Sequence, residues 1–351
     1  MKNTRLVVGV VLVLLVSLAL VSAVPAFARD ITIGVSIRSL SEERWAREQI
    51  LLKEKGEELG VEVVFTDANN DEFVQNSQIE NLIARGVDAL IIIARNSDVA
   101  ATGVEMAASE GIPCIAYDVA IYHPEAIYVS FDSVRVGYEM AKAVVEQVPK
   151  GRYFWVGGSP TDDNAYLIRK GQFQVLQPLI DSGDIELLGE QWCDAWSPEE
   201  ALKHVENALT AHSNQIDAVI CANDGTAGGA VQALQEQGLA GKVPTCGQDA
   251  DLVACQRVAE RTQTVTVFKD VRILADTAMI AAVELARGNS IEHMINGKYV
   301  NEAKGIEQDA IFVDVIPVTK DNLYEVIVLG GFHSLEDVYR NIPRDQWPDK
   351  Q

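Results

Sequence analysis

The sequence predicts an α/β protein made of two Rossmann-like lobes with parallel sheets, and three observations predict it. Short, almost continuously apolar runs such as ALIII (89–93) and AVICA (218–222) are typical of parallel strands buried on both faces. Amphipathic stretches of helical length separate these runs, as in βαβ units. The alternation occurs twice along 351 residues, a length that suits about two domains.

The elements follow in order once the apolar runs and the stretches between them are marked. The first half gives strands 31–37, 61–67, 88–94, 113–118 and 128–132, with helices 42–59, 72–85 and 97–110. The second half gives strands 152–157, 185–191, 218–223, 243–248 and 262–268, with helices 134–148, 164–182, 197–212, 225–238, 251–260 and 270–287. Late strands are expected at 308–316 and 324–329, where the chain can cross back between lobes, and the charged segment 336–351 is expected to be a solvated tail.

The N-terminus has the pattern of an export sequence. Lys2 and Arg5 precede an apolar stretch, 6–24, and small residues stand at Ala26 and Ala28. We therefore expect a signal peptide, 1–28, cleaved after Ala28, and a location in the periplasm or another extracytoplasmic space. The alternative is an uncleaved anchor helix, because 19 apolar residues nearly span a bilayer.

Charge and cysteine content exclude several classes of partner. The net charge is −22, or −24 without Lys2 and Arg5, so a nucleic-acid partner is not expected. The spacing of the five cysteines matches no zinc pattern. Export permits one or two disulfides, and Cys246 and Cys255 are the nearest pair. Cys114 and Cys221 lie in strand-like runs and are expected to be buried thiols.

Motifs for cofactors, metals and catalysis are missing from the sequence. It contains no G-x-G-x-x-G after the first strand, no P-loop, no G-x-S-x-G and no H-E-x-x-H. The five histidines share no spacing, so no metal site, cofactor or enzyme activity is expected. The glycine pair at 157–158 is interpreted as a tight turn.

Polar residues gather directly after the predicted strands. In open parallel sheets, ligands bind in the loops past the carboxyl ends of the strands. Two indoles accompany these polar groups, Trp45 and either Trp192 or Trp196, so the edge suits a small polyhydroxylated ligand. The polar residues at this edge are Arg44, Asn96, Asp118, Asn164, Asn223, Asp224, Asp249 and Lys269.

Three of these assignments have structural alternatives. Trp45 either stacks on a sugar ring or packs half-buried in the lobe. Arg169, on the helix after the strand at 152, either binds ligand or forms a surface salt bridge. Asn223 caps the following helix, a role compatible with ligand binding.

At these residues the chain resembles the periplasmic sugar-binding proteins of ABC importers. The resemblance covers nearly all of the mature chain. Its most specific stretches are ERW (43–45), 78–93, SFD (130–132), GGSPTDDNA (157–165), 208–243, GQDADL (247–252) and 262–270.

The resemblance implies two lobes joined by a three-segment hinge, with sugar held in the cleft. It implies an N-terminal lobe of 30–132 plus 268–310 and a C-terminal lobe of 133–267 plus 311–335. It places the sugar contacts on Arg44, Trp45, Asp118, Asn164, Arg169, Trp196 or Trp192, Asn223 and Asp249, with Lys269 at the hinge.

The chain departs from the family pattern at two loops. Val119 follows Asp118 where the family usually has Arg, and Ala94-Arg95-Asn96 stands where Pro-Tyr-Asn is more typical. We expect Arg95 to supply the missing guanidinium to Asp118 across the neighbouring loop. The alternative is that the ligand has changed.

The function implied by the resemblance is capture of an aldopentose, D-xylose, and its delivery to an ABC transporter permease by a monomeric, non-enzymatic receptor. Alternatives are another pentose or hexose as ligand, or a sugar receptor for a membrane sensor kinase or chemoreceptor. An exported enzyme would have to use the pair Asp162-Asp163. A repressor of the same fold would need an N-terminal helix-turn-helix, and the export pattern stands there instead.

Overall fold

The computed structural model describes residues 31–41 and 43–348, so the expected signal peptide lies outside the described residues. The described strands are β1 (Thr32–Ile37), β2 (Glu62–Asp67), β3 (Ala89–Ile92), β4 (Cys114–Tyr117), β5 (Ala126–Phe131), β6 (Gly151–Val156), β7 (Ile185–Gln191), β8 (Ala218–Cys221), β9 (Cys246–Gln248), β10 (Val265–Lys269), β11 (Gly297–Asn301), β12 (Ile306–Val313) and β13 (Val315–Val318).

The α-helices of the described chain alternate with these strands. They are α1 (Glu43–Leu59), α2 (Glu72–Ala84), α3 (Ser97–Ser109), α4 (Ser133–Gln147), α5 (Asp163–Asp181), α6 (Pro198–Ala211), α7 (Asp224–Glu236), α8 (Leu252–Ala259), α9 (Val271–Ala286) and α10 (Leu335–Val338). Side-chain caps fix several starts: Asn96 begins α3, Asp162 begins α5, and Asn223 begins α7 with a capping box to Thr226.

Two sheets organise the molecule. The first has the order β11-β12-β5-β4-β3-β1-β2 and is parallel except for β11, which runs antiparallel to β12. The second consists of β7-β6-β8 and β9-β10-β13, joined where Val219 bridges Thr245. Only β13 runs antiparallel there. The expected α/β class with two mostly parallel sheets is confirmed.

Helices cover both faces of each sheet, as continuous apolar strands require. On the first sheet, α1 and α9 pack together on one face, where Leu52 and Met279 are fully buried. On the second, α4 and α5 approach so closely that a Cβ on Gly171 would lie 1.9 Å from the carbonyl oxygen of Val134. Each sheet is therefore the centre of a closely packed lobe.

The chain passes between the sheets three times. It leaves the first sheet after β5, returns after β10, and crosses again at Asp314, which alone separates β12 from β13. The expected lobe boundaries lie nearby, at 267/268 and 310/311, whereas β10 stays in the second sheet to Lys269 and β12 stays in the first to Val313. The lobe boundaries themselves remain a prediction.

Two late elements differ from expectation. The run at 324–329, expected as a strand, forms a π-helical turn, Tyr324–Leu329, because Leu323 and Ile327 lie one turn apart and both face the core. The edge strand β11 was not expected, because apolar and polar residues alternate only weakly along it.

The C-terminal segment is not simply a solvated tail. Val338 and Tyr339 are buried, and the ring of Trp347 packs near Tyr339 at 6.3 Å between centroids. The amide of Gln256 donates to the carbonyl of Asp337 at 2.9 Å. The expectation of a solvated end is therefore wrong for this stretch.

All five cysteines are buried free thiols, so the disulfide considered for Cys246 and Cys255 is not formed here. Cys114 and Cys221 lie in β4 and β8 as expected. Among residues 31–41 and 43–348, no helix combines the length and the apolar character needed to cross a bilayer.

Candidate functional site

A cavity of about 210 Å³ lies between the two sheets, at the carboxyl ends of their strands. This volume is below the roughly 300–1,000 Å³ of pockets for drug-sized ligands, so the cavity suits a small one. Its lining comes from both lobes. The lining residues are Arg38, Arg44, Trp45, Asp118, Ser133, Asp162, Asn164, Ile168, Trp196, Asn223, Gln248, Asp249, Asp251 and Lys269.

Asp118 ends β4 and points its carboxylate into this cavity. Its backbone has φ of 60°, a left-handed conformation uncommon outside glycine. Three hydrogen bonds to the carbonyl oxygen of Asp118 stabilise this strained conformation. The donors are Tyr128 Oη (3.0 Å), Ser130 Oγ (3.0 Å) and Asn164 Nδ2 (2.9 Å). The bond from Asn164 crosses between the lobes.

Arg44, in the first turn of α1, is the cation closest to Asp118. Its Nη2 lies 2.7 Å from Asp118 Oδ1, and its Nε lies 2.6 Å from Oε1 of the fully buried Glu48. The hydroxyl of Tyr117 donates to the other oxygen of Glu48. Arg44 is thus held in one orientation by two carboxylates, 3.8 Å from a third at Asp249.

The buried charges shift the pKa values of both acids. Burial opposes ionisation of Asp118, but Arg44 and Lys269 together hold the pKa of its carboxyl below the usual value. For Glu48, burial dominates over the attraction of Arg44 and raises the pKa. Asp118 is therefore the carboxylate kept ready to accept hydrogen bonds.

The second lobe contributes Asp249, which follows β9 with φ of 102°. Lys269, the last residue of β10, places Nζ 2.8 Å from Asp249 Oδ1. The lysine is buried, and its ammonium lies 5.6 Å from the ring centroid of Phe131. This pair sits where β10 leaves the second sheet.

Asp162, the cap of α5, joins the lobes on the opposite wall. Its Oδ2 accepts from Arg38 Nη1 at 3.3 Å and from Trp196 Nε1 at 3.2 Å, while Oδ1 accepts the backbone N–H of Asn164 at 3.0 Å. Arg38 follows β1 in the first lobe and is buried. One carboxylate therefore positions a Trp side chain and an inter-lobe arginine together.

The glycine pair after β6 leaves room for indole rings. A Cβ on Gly157 would lie 2.2 Å from the ring of Trp155, and one on Gly158 would lie 2.3 Å from the ring of Trp196. Both contacts are far closer than a Cβ tolerates. Gly158, interpreted from sequence as part of a turn, is thus required by the cavity indole of Trp196, and Gly157 by the core indole of Trp155.

Trp45 is packed in the lobe and also lines the cavity, while its stacking on a sugar ring stays a prediction. It belongs to the core of the first lobe, with 3% of its surface exposed, and it also lines the cavity. The guanidinium of Arg44 lies 4.4 Å from its ring centroid. Packing in the core therefore fixes the position of the Trp45 indole at the cavity.

Neutral side chains at the cavity include buried polar atoms that lack a hydrogen-bond partner within the described part of the chain. They are Trp45 Nε1, a donor, and Gln248 Oε1, an acceptor. A buried, unsatisfied polar group costs about 1–3 kcal/mol. A ligand with hydroxyl groups, which both donate and accept, can satisfy such atoms.

Eight of the twelve predicted site residues line the cavity. They are Arg44, Trp45, Asp118, Asn164, Trp196, Asn223, Asp249 and Lys269. The choice left open between the two tryptophans falls on Trp196, since Trp192 packs instead on Trp155, 4.9 Å between ring centroids.

The other three predicted residues have structural contacts outside the cavity. Arg169 forms a bidentate salt bridge with Glu190, in which Nε and Nη2 lie 2.9 and 3.0 Å from the two carboxylate oxygens. This is the salt-bridge alternative considered for Arg169. Asn96 caps α3. Arg95 donates to Thr161 Oγ1 at 3.3 Å across the rim between the lobes.

The proposed compensation of Val119 by Arg95 is wrong in this structure. Arg44, from the first loop, is the partner of Asp118, and Arg95 does not line the cavity. Val119 turns into the apolar core of the first lobe, where it is buried, so its side chain does not line the cavity either.

The cavity also contains residues that the sequence reasoning missed: Arg38, Ser133, Asp162, Ile168, Gln248 and Asp251. Arg38 and Gln248 stand at the carboxyl ends of β1 and β9, so the rule that located Asp118 would have located them too. Asp162, Ser133 and Ile168 lie at or in helices, where no strand-end pattern marks them.

Known proteins share this arrangement. The model of the periplasmic binding protein domain matches residues 33–290. The D-xylose-binding periplasmic protein of Escherichia coli (strain K12) is 46% identical over 324 residues, covering 92% of this chain and 97% of the relative. The protein of the same description from Haemophilus influenzae is 46% identical over 315 residues, covering 90% and 94%.

Solved structures show the same architecture. An ABC transporter solute-binding protein from Clostridium phytofermentans, with bound β-D-glucose, has a TM-score of 0.79 at 25% identity, covering 88% of this chain and 99% of that one. One from Chloroflexus aurantiacus, in complex with D-glucose, has a TM-score of 0.80 at 27% identity, covering 88% and 98%.

Two α/β lobes around a polar cleft define a solute receptor of the type I class. This chain belongs to the periplasmic binding proteins, among the sugar-binding proteins of ABC importers.

Replacing Arg44 by methionine is expected to lower the free energy of unfolding by about 3–5 kcal/mol, because Asp118 and Glu48 lose their shared cation while staying buried. Urea unfolding without ligand measures this. The double variant Arg44→Met/Glu48→Gln should regain part of the loss. Lys304→Met, which breaks an exposed pair with Asp98, is the control and should cost below about 1 kcal/mol. A similarly small loss for Arg44→Met contradicts the interpretation.

Proposed function

We propose that this protein captures D-xylose in the cavity between its lobes and delivers it to the permease of an ABC importer. The single observation that supports a sugar ligand is the cavity itself, where paired charges and two indoles from both lobes lie together. The 46% identity to two D-xylose-binding periplasmic proteins supports this pentose over other sugars.

The charges of the cavity favour a neutral ligand. Its cations are already matched: Arg44 with Asp118, Lys269 with Asp249, and Arg38 with Asp162. An anionic ligand would have to compete with these carboxylates, whereas a sugar hydroxyl can donate to a carboxylate oxygen and accept from a guanidinium at once. The indoles of Trp45 and Trp196 supply apolar surface for the C–H face of the ring.

Contacts across the cleft explain how binding is linked to closure. Arg38 with Asp162 and Asn164 with Asp118 form only when the lobes approach each other. A ligand that contacts both lobes favours the closed arrangement by its preference for that state. We propose that the closed form is the one recognised by the permease.

The adjacent acids Asp162 and Asp163, which an enzyme would have to use as a pair, have different hydrogen-bond partners. Asp162 is engaged by Arg38 and Trp196, and Asp163 accepts from Tyr122 Oη at 2.9 Å and Tyr299 Oη at 2.6 Å. Asp163 does not line the cavity. We therefore propose binding without chemistry in the periplasm, in keeping with the description of two relatives as D-xylose-binding periplasmic proteins. We also propose that the protein acts as a monomer.

Calorimetric titration with D-xylose, D-ribose, L-arabinose and D-glucose tests the proposal. D-xylose is expected to bind most tightly, with little dependence on salt because the ligand is neutral. Tighter binding of another sugar overturns the pentose assignment. Absence of binding by all four overturns the sugar-receptor function of this cavity.

Trp196→Ala is expected to weaken D-xylose binding about 5- to 150-fold, or about 1–3 kcal/mol, because an indole of the cavity wall is lost. Trp192→Ala is the matched control, since this indole lies four residues away and outside the cavity. Calorimetry measures both. Equal losses in the two variants would mean that Trp196 acts only through packing.

Tyr299→Phe is expected to weaken binding about 10- to 150-fold without altering the cavity, because the closed form loses a hydrogen bond to a carboxylate, a contact of about 1.5–3 kcal/mol. Tyr153→Phe removes a tyrosine hydrogen bond within one lobe, to the carbonyl of Val148, and should leave affinity unchanged. If both variants bind like the parent protein, the Asp163 contacts do not contribute to closure.

A further inference from the structure

Cys193, Glu200 and His204 come together beside the sugar cavity but outside it. One ligand atom from each, a sulfur, a carboxylate oxygen and a ring nitrogen, lie within 4.8 Å of one another. Cys193 follows β7, and Glu200 and His204 are four residues apart on α6, so both face the same side of the helix. The sequence predicted no metal site. The three groups come from two elements, a strand end and a helix face, so they do not form a recognisable metal-binding spacing.

We propose that these three side chains bind a divalent transition metal of the zinc type, with water as the fourth ligand. Thiolate and imidazole are the donors that such ions prefer over magnesium or calcium. Three protein ligands and an open position form a known coordination pattern for zinc. When a dication binds, the Cys193 thiol releases its proton to solvent, and the thiolate and the Glu200 carboxylate then neutralise the ion.

Neighbouring groups already orient two of the ligands. His204 Nε2 lies 3.2 Å from the carbonyl oxygen of Trp192. Since a carbonyl only accepts, Nε2 carries the hydrogen and Nδ1 keeps the lone pair. The backbone N–H of Asp194 donates to Glu200 Oε2 at 2.7 Å and leaves Oε1 available. Metal-binding histidines and carboxylates are commonly fixed by such outer contacts.

The site is open to solvent on one side. Cys193 is fully buried, whereas Glu200 and His204 are half-buried. None of the three lines the sugar cavity, but Cys193 begins the short segment that ends at Trp196. The Trp196 backbone N–H donates to the carbonyl of Cys193 at 3.1 Å. A bound metal would therefore fix the base of the segment that carries the indole.

Cobalt(II) titration of the full, untagged chain tests the site, because a thiolate bound to Co²⁺ gives a charge-transfer absorption band. We expect one Co²⁺ per chain with this band, and its displacement by Zn²⁺. Cys193→Ser should abolish the band, and His204→Ala and Glu200→Gln should each weaken Co²⁺ binding at least about tenfold. Cys255→Ser and His212→Ala, which change the same residue types elsewhere, should bind Co²⁺ normally.

Absence of the thiolate band in the parent chain overturns the proposal, as does a band that persists in Cys193→Ser. Glu200→Gln changes a half-buried residue, so it gives an answer even if the cysteine variant fails to fold. The result is independent of the sugar, since all titrations are made without it.

Discussion

Arg44 is the group around which the charges of the cleft are arranged. Three carboxylates, from Glu48, Asp118 and Asp249, lie within 4 Å of its guanidinium, and they belong to both lobes. A buried carboxylate without a cation is costly, and Arg44, together with Lys269, keeps the pKa of Asp118 below its usual value despite its burial. The indole of Trp45 packs against the same guanidinium, so the cation also fixes one wall of the cavity.

The two lobes hold each other by the same means on the opposite side of the cavity. Asp162 receives an arginine from the first lobe and an indole from the second. Asp118 receives Arg44 on its carboxylate and, on its carbonyl, an amide from the second lobe. Each acid therefore serves both the shape of the cavity and the contact between the lobes.

The sequence was sufficient for the sheets and for most of the polar edge, because both follow from local pattern. Asp118 and Asp249 are found by their position after apolar strands, and their left-handed backbone points them into the cleft. The position of a residue after a strand does not determine where its side chain points. Arg95 lies at the same edge of the sheet, but its side chain contacts Thr161 at the rim between the lobes. Nor does this position report long-range partners, since the pairs of Arg38 with Asp162 and of Arg44 with Asp118 join residues 124 and 74 positions apart. The run at 324–329 was misassigned because β-branched residues favour a strand locally, while core contacts one turn apart decide the helix.

The single residue between β12 and β13 limits how this chain can vary in length. Asp314 links a strand of one sheet directly to a strand of the other, with no slack in the connection. Because side chains alternate faces along a strand, one inserted residue would turn Val318 from the core to solvent, or pull β13 out of register with β10. Loops elsewhere on the surface tolerate insertions and deletions, but at this crossing the residue count is as constrained as any side chain in the cavity.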